Sequence, residues 1–259
     1  MHIALIQQAI SVGNKQQNYN RVTQLVEQAL ALSPKPDLIV LPELWSTGYA
    51  LTELDRLASA EGNEEAELLG NLARKHHVWF AGGSVAAKTK NGITNRAQII
   101  DREGILQAIY DKVHLVPMLN EDKYLVAGSS VCVQEIEGIT FGFTICYDIR
   151  FCEFLRKLAL GGAQVLVVAA EWPLVRLAHW QALLKARAIE NQCYVLAANN
   201  VSMGSAPFAG HSVAHGPDGS TLCQFEFQEG VNQVRVDLQA VEHIRTAVPV
   251  FKDRRPELY

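Results

Sequence analysis

Two strand ends in this sequence carry residues suited to acid–base and nucleophilic chemistry. In Leu41-Pro42-Glu43 a proline ends an apolar run and leaves a carboxylate at its edge. A carboxylate kept out of water there suits general-base work; one that has emerged into solvent is the commoner outcome of such a local sequence. In Thr144-Ile145-Cys146-Tyr147-Asp148 a cysteine falls on a predicted strand-to-helix turn, the placement that exposes a nucleophile. Asp148 is the expected N-cap of the following helix, and a helix N-terminus beside Cys146 favours its thiolate. A buried structural cysteine is an equal reading of that position, and the one adopted for Cys132, Cys193 and Cys223. Lys112, read alone, is a surface lysine. His76 and His77 end a charged helix and are expected in solvent. His211 and His215 share a predicted strand face but lack a third ligand, so no metal site is expected, and nothing singles either out as a partner for cysteine.

The elements that must position these residues are short β-branched runs alternating with amphipathic stretches. Strands are predicted over 3–9, 37–41, 78–85, 93–101, 105–110, 141–145, 164–170, 193–198 and 231–238, and helices over 14–32, 64–76, 149–160 and 174–191. Asn91-Gly92 and Pro217-Asp218-Gly219 mark hairpins, the latter between 212–215 and 221–225, and a further strand pair turns at Glu137-Gly138. Residues 113–130 have no clear period. Asp37-Leu38-Ile39-Val40-Leu41 is a continuous apolar run, as strands covered on both faces are, and 164–170 is another buried strand. We find no linker, tandem repeat or low-complexity tract, and expect one α/β domain over 1–259.

Composition excludes several classes. The 259 residues are 49% hydrophobic and 19% charged with a net charge of −4, too apolar for a disordered chain and without a basic footprint for nucleic acid or an anionic membrane. No apolar run approaches the roughly 20 residues that span a bilayer. Ile3-Ala4-Leu5-Ile6 turns polar at Gln7-Gln8, so no signal peptide is expected. Five scattered cysteines without a C-x-x-C suggest neither zinc nor a disulfide framework, and a cytoplasmic location fits them.

Taken together and in order, Leu41-Pro42-Glu43, Tyr110-Asp111-Lys112-Val113-His114 and Cys146-Tyr147-Asp148-Ile149-Arg150-Phe151 resemble the three signatures of the nitrilase, or carbon–nitrogen hydrolase, superfamily. The resemblance runs from Ile3 to Tyr259. It implies a four-layer α-β-β-α sandwich and a Glu–Lys–Cys triad in which Glu43 is the general base, Lys112 the electrostatic stabiliser and Cys146 the nucleophile. The Tyr147 backbone N–H is then the expected second oxyanion donor. A second family glutamate follows the lysine, and Glu121 in Asn120-Glu121-Asp122-Lys123-Tyr124 stands at its place; a loop carboxylate is an equal reading of it. The implied chemistry is amide hydrolysis through a thioester, with no metal or organic cofactor.

Within that family LPELWSTGY at 41–49, AEWP at 170–173 with Arg176 and His179-Trp180, ARAIENQ at 186–192 and PVFKDRRPELY at 249–259 resemble the bacterial omega-amidase branch linked to methionine salvage. The implied substrates are ω-amides of 2-oxo dicarboxylic acids, chiefly 2-oxoglutaramate. Such a substrate needs a cation for its far carboxylate. Arg176, expected in the first turn of a helix opened by Pro173, is the candidate, with a surface arginine as the alternative. Tyr49 is a candidate donor to the carboxylate or ketone and Trp172 a pocket wall; core packing is the ordinary use of both. Trp180 is expected in the core, and His179 as a hydrogen-bonded structural residue. The family's proline after Arg-Phe is Cys152 here, a change tolerable in a helix's first turn, where backbone donors are unpaired anyway; a disulfide from Cys152 to Cys146 is disfavoured by distance. The family further implies a homodimer or higher homo-oligomer, paired through the helix after the cysteine and a neighbouring one. The alternatives are another small-amide or N-carbamoyl hydrolase, and a non-catalytic binding protein on the same fold.

Overall fold

The computed structural model describes residues 1–202 and 207–258; Tyr259, the last residue of the C-terminal motif, lies outside them. Two sheets form the middle of the molecule. One runs in the order Gly230–Arg235, His2–Gln7, Leu38–Val40, Trp79–Thr89, Gly92–Ile100, Leu106–Asp111, with Ser59–Ala60 added to Trp79–Thr89. The other runs Thr221–Gln224, Val213–His215, Tyr194–Asn199, Val165–Ala170, Ile139–Ile145, Cys132–Ile136. At the centre of each are three parallel strands, which require crossover connections. The crossovers are the helices Lys15–Leu30 and Asn63–His76 for the first sheet and Cys152–Leu160 and Leu177–Asn191 for the second.

Alternation along the strands shows how the layers stack. In the first two strands Ala4, Ile6, Ile39 and Leu41 pack with Val22, Leu25, Val26 and Leu69 of the helices. Their neighbours Ile3, Leu5, Leu38 and Val40 join a core shared with Phe141, Ile145, Leu196 and Trp180 of the other half. A strand shows opposite faces at successive residues, so each is buried on both sides. The result is the four-layer α-β-β-α sandwich that the motif resemblance implies.

Several elements depart from the sequence reading at their ends. Helix Lys15–Leu30 starts one residue late because Asn14 caps it, its Oδ1 accepting from the Gln17 N–H at 3.1 Å. The segment expected to be one helix over 149–160 is a 3₁₀ turn, Cys146–Arg150, followed by Cys152–Leu160. Cys152 is thus the first helical residue, where the backbone N–H has no helical partner in any case. The helix expected over 174–191 likewise begins as a 3₁₀ turn, Leu174–Arg176, before Leu177–Asn191. Expected as strand to 238, the chain instead leaves the sheet at Arg235 and forms the helix Leu238–Ala247, capped by Asp237, whose Oδ1 accepts from the Gln239 N–H. His211 stands outside strand Val213–His215 at a φ of 49°, so the two histidines do not share a strand face. His77 is exposed, whereas His76 is half-buried with its Nε2 3.3 Å from Glu27. His179, expected to be hydrogen-bonded and structural, is exposed. All five cysteines are free, and among the described residues no helix is long and apolar enough to cross a membrane.

Candidate active site

Glu43, Lys112, Cys146 and Glu171 each follow the last residues of a strand: Leu38–Val40, Leu106–Asp111, Ile139–Ile145 and Val165–Ala170. This is where α/β sheets gather their ligands. Gly83 makes the turn at Glu43 possible. Its φ is +60°, and a Cβ there would stand 2.1 Å from the Pro42 carbonyl oxygen, a distance only glycine permits. Ser84 completes the turn, its N–H donating to Pro42 O at 3.1 Å and its hydroxyl accepting from the Leu44 N–H at 3.0 Å.

Inside, Lys112 lies between two carboxylates. Its Nζ donates to Glu43 Oε1 and to Glu121 Oε1, both at 2.8 Å, and all three side chains are fully buried. Asn95 Nδ2 donates to Glu43 Oε1, and the Glu171 backbone N–H to Glu43 Oε2, each at 2.8 Å. Glu121 Oε2 accepts from the Val116 N–H at 2.9 Å. Burial works against the ammonium charge, but Glu43 and Glu121 outweigh it and hold the Lys112 pKa above that of a free lysine. Burial, then Glu43, pushes Glu121 up against the pull of Lys112. The Tyr49 hydroxyl, expected to be free for a ligand, instead donates to Glu121 and lies 3.2 Å from Glu43 Oε1. Two carboxylates already use it, and Tyr49 lines the cavity with its ring packed beside Phe208.

Cys146 opens its 3₁₀ turn at a φ of 46°, a left-handed conformation uncommon outside glycine. Such residues persist where surrounding contacts hold them, and here the contacts come from Asp148. Expected as a helix N-cap, Asp148 instead joins two strand ends. Its Oδ2 accepts from the Tyr110 hydroxyl at 2.7 Å and the Ile145 N–H at 2.9 Å; its Oδ1 accepts from the His114 N–H at 3.2 Å and lies 2.8 Å from His114 Nδ1. Tyr110 and His114 flank Lys112, and Ile145 precedes Cys146, so one buried carboxylate sets the spacing between ammonium and thiol. Arg187 supports the same turn by donating to the Ile149 carbonyl at 2.8 Å.

The expectation of a favoured thiolate is overturned. Burial, followed by the charge of Glu43, pushes the Cys146 thiol well above its ordinary range, and Lys112 only partly offsets them. A 3₁₀ turn of five residues supplies less dipole than the helix the sequence suggested. The resting group is a thiol facing a carboxylate.

Above Cys146 opens a cavity of about 650 Å³, lined by Tyr49, Tyr147, Arg150, Trp172, Arg176 and Phe208 among others. Trp172 is both wall and packing: its indole N–H donates to the Arg176 carbonyl at 2.8 Å, and its ring stacks near Trp180 in the core. Arg150 places its guanidinium 4.7 Å above the Trp172 ring. Arg176 is exposed and caps helix Leu177–Asn191 rather than standing in its first turn. Among the described residues neither arginine has an ion-pair partner, and burial together with Arg176 depresses the Arg150 pKa. Arg150 lies in the cysteine motif five residues after a strand end, a place that gives little local sign that it turns into the cavity. Glu171 carries as little local sign of a role, although its position one residue past an apolar strand resembles that of Glu43. Among the described residues no group of three or more His, Cys, Asp or Glu side chains is arranged to hold a metal ion.

The carbon–nitrogen hydrolase family model matches residues 2–246. The chain belongs to the carbon–nitrogen hydrolase family. This hydrolase is 42% identical to the 2-oxoglutaramate amidase of Bacillus subtilis (strain 168) over 99% of its own length and 98% of that protein. It is 29% identical to the omega-amidase NIT2 of Homo sapiens, over 99% and 96%. Among solved structures it resembles a family member from Xanthomonas campestris carrying an arsenic adduct in its active site, with a TM-score of 0.92 at 27% identity, covering 98% and 97% of the two chains. The hydrolase is therefore an amidase acting on C–N bonds.

Proposed function

We propose that this amidase is an omega-amidase, cleaving the ω-amide of 2-oxo dicarboxylic acids such as 2-oxoglutaramate and 2-oxosuccinamate. One observation carries the choice of substrate: the cavity that ends at Cys146 holds two guanidinium groups, Arg150 and Arg176, with no carboxylate paired to either among the described residues. A substrate carboxylate supplies the missing charge through charge-assisted hydrogen bonds. The names of the Bacillus subtilis and human relatives point the same way.

In this mechanism Glu43 takes the proton from the Cys146 thiol as sulfur attacks the amide carbon. The oxyanion is held by the Lys112 ammonium and the Tyr147 backbone N–H, and one such donor is worth about 10²–10³ in rate. Glu43 returns the proton to nitrogen, the C–N bond breaks and ammonia leaves a thioester. Glu43 then takes a proton from water, the hydroxide adds to the thioester carbon, the C–S bond breaks, and the proton returns to sulfur. Because Cys146 rests as a thiol, deprotonation accompanies attack. Glu121 and Tyr49 hold Lys112 and Glu43 in place, and Trp172 carries Arg150. No step calls for a cofactor. We further read 1–259 as one domain working in the cytoplasm in methionine salvage, and as a homodimer; the exposed Leu160 and Ile189 on Cys152–Leu160 and Leu177–Asn191 support that pairing.

The test is ammonia release from 2-oxoglutaramate beside glutamine, an N-carbamoyl amino acid and a simple nitrile, with Cys146→Ala as control. Turnover of 2-oxoglutaramate above the rest, lost in the variant, is expected. Arg150→Ala and Arg176→Ala should each raise KM by roughly tenfold or more. Preference for glutamine or the N-carbamoyl amino acid over 2-oxoglutaramate overturns the substrate while leaving the amidase.

A further inference from the structure

Glu171 has no part in the chemistry above except through its backbone. Its side chain is fully buried, yet it lines the same cavity as Cys146 and Arg150. Asn200 faces it, but neither carboxyl oxygen has a hydrogen-bond partner of normal geometry among the described residues. Buried polar groups without partners are rare in folded proteins, and one on a cavity wall is placed for a ligand.

Its position along the cavity follows from its neighbours. The Glu171 N–H holds Glu43 Oε2, and the next residue, Trp172, carries Arg150 above its ring. Along the backbone Glu171 therefore stands between the residue that holds the base and the one that carries Arg150. Its protonation follows from a count of charges. Three buried carboxyl groups, Glu43, Glu121 and Glu171, surround one buried ammonium, Lys112. Glu43 and Glu121 each bond to Lys112 directly, whereas Glu171 has no cation bonded to it among the described residues. Like charges packed into one site do not all ionise, and the unpaired member keeps the proton. Burial, then Glu43, raises the Glu171 pKa well above that of an ordinary carboxyl, in agreement with the count. A neutral carboxylic acid is a hydrogen-bond donor.

We infer that Glu171 is a specificity-determining residue whose carboxyl O–H donates to an acceptor oxygen on the substrate between the scissile amide and the distal carboxylate. In a 2-oxo acid amide that oxygen is the 2-oxo group. The inference rests on the omega-amidase reading and adds to it the contact that tells a 2-oxo substrate from its saturated analogue. An unmet donor costs binding when the analogue brings no acceptor, which is how polar sites discriminate.

The experiment compares kcat/KM for 2-oxoglutaramate and for glutaramate, the same amide with CH₂ in place of the ketone, in wild type, Glu171→Leu and Glu171→Gln, with thermal unfolding as a check on folding. Wild type should favour 2-oxoglutaramate. Glu171→Leu should cut that preference by roughly tenfold, the loss of one buried hydrogen bond. Glu171→Gln, which keeps an N–H donor, should restore most of it. Equal losses on both substrates in both variants, or an unchanged preference in Glu171→Leu, overturn the role of Glu171 and leave the substrate intact. Wild-type enzyme inactive on 2-oxoglutaramate but active on another amide overturns the omega-amidase reading and this one with it.

Discussion

Replacing Asp148 by alanine removes a carboxylate that never touches the cavity, and the structure fixes what this should cost. Four contacts end on its two oxygens: the Tyr110 hydroxyl, the Ile145 N–H, and the His114 N–H and ring nitrogen. The side chains of Tyr110 and Asp148 and residue Ile145 are buried, so two donors are left without water; His114 is partly exposed and recovers some solvation. At about 1–3 kcal/mol for each buried donor left unmade, the two contribute about 2–6 kcal/mol. For a chain of this size each kcal/mol moves Tm by about 2–4 °C, so a fall of roughly 10 °C is expected by calorimetry. Tyr110→Phe deletes two bonds, the hydroxyl's donation to Asp148 and its acceptance from the Val113 N–H at 3.2 Å, but leaves three of the four contacts on Asp148, and should cost about 1–3 kcal/mol. Because the same carboxylate sets the spacing of Lys112 and Cys146, kcat for Asp148→Ala should drop well beyond what unfolding explains, at a temperature where both variants are folded. A Tm within 2 °C of wild type, or a kcat as high as that of Tyr110→Phe, would refute the claim that Asp148 joins the two strand ends.

The remaining predictions concern charge. Absorbance at 240 nm, wild type minus Cys146→Ser, should show no thiolate step up to pH 9, since burial and Glu43 hold the thiol above that value; a step between pH 6 and 8 would contradict it. Glu171→Gln should gain stability relative to wild type as pH rises. The folded pKa of Glu171 lies above the unfolded value of 4.5, so wild type loses the proton-linked stabilisation as pH climbs from that value toward the folded pKa, while glutamine has nothing to lose. Tm differences at pH 5 and pH 8 read this directly, and a difference that shrinks with pH counts against it. Lys112→Met should leave Glu43 and Glu121 buried without a cation, lowering Tm at pH 8 by more than at pH 5, where the carboxyl groups can take up protons. Its kcat should fall by about 10²–10³.

Much of the site was legible because its parts sit at strand ends, and strand ends are marked by local chemistry. Pro42 stops an apolar run just before Glu43, and Cys146 closes another, so periodicity marks both positions, while their roles come from the resemblance. What periodicity could not give was Lys112, which carries no local sign of burial; the order of three motifs supplied it. Arg150 and Glu171 lie inside motifs whose spacing assigns them no role, because a turn's direction depends on what packs beneath it.

By itself the sequence determined the alternation of strand and helix and the burial of the strands at 37–41 and 164–170, because these depend on residue type and short-range spacing, and the order of its motifs pointed to the family. The tertiary structure alone decided the charge state of the site. Whether a carboxyl, an ammonium or a thiol is ionised depends on distance and burial. Lys112 keeps its proton because Glu43 and Glu121, 69 and 9 residues away in the chain, stand 2.8 Å from its Nζ. Cys146 keeps its own because the fold places it out of water beside Glu43. Electrostatic energy falls with distance through space and takes no account of separation along the chain.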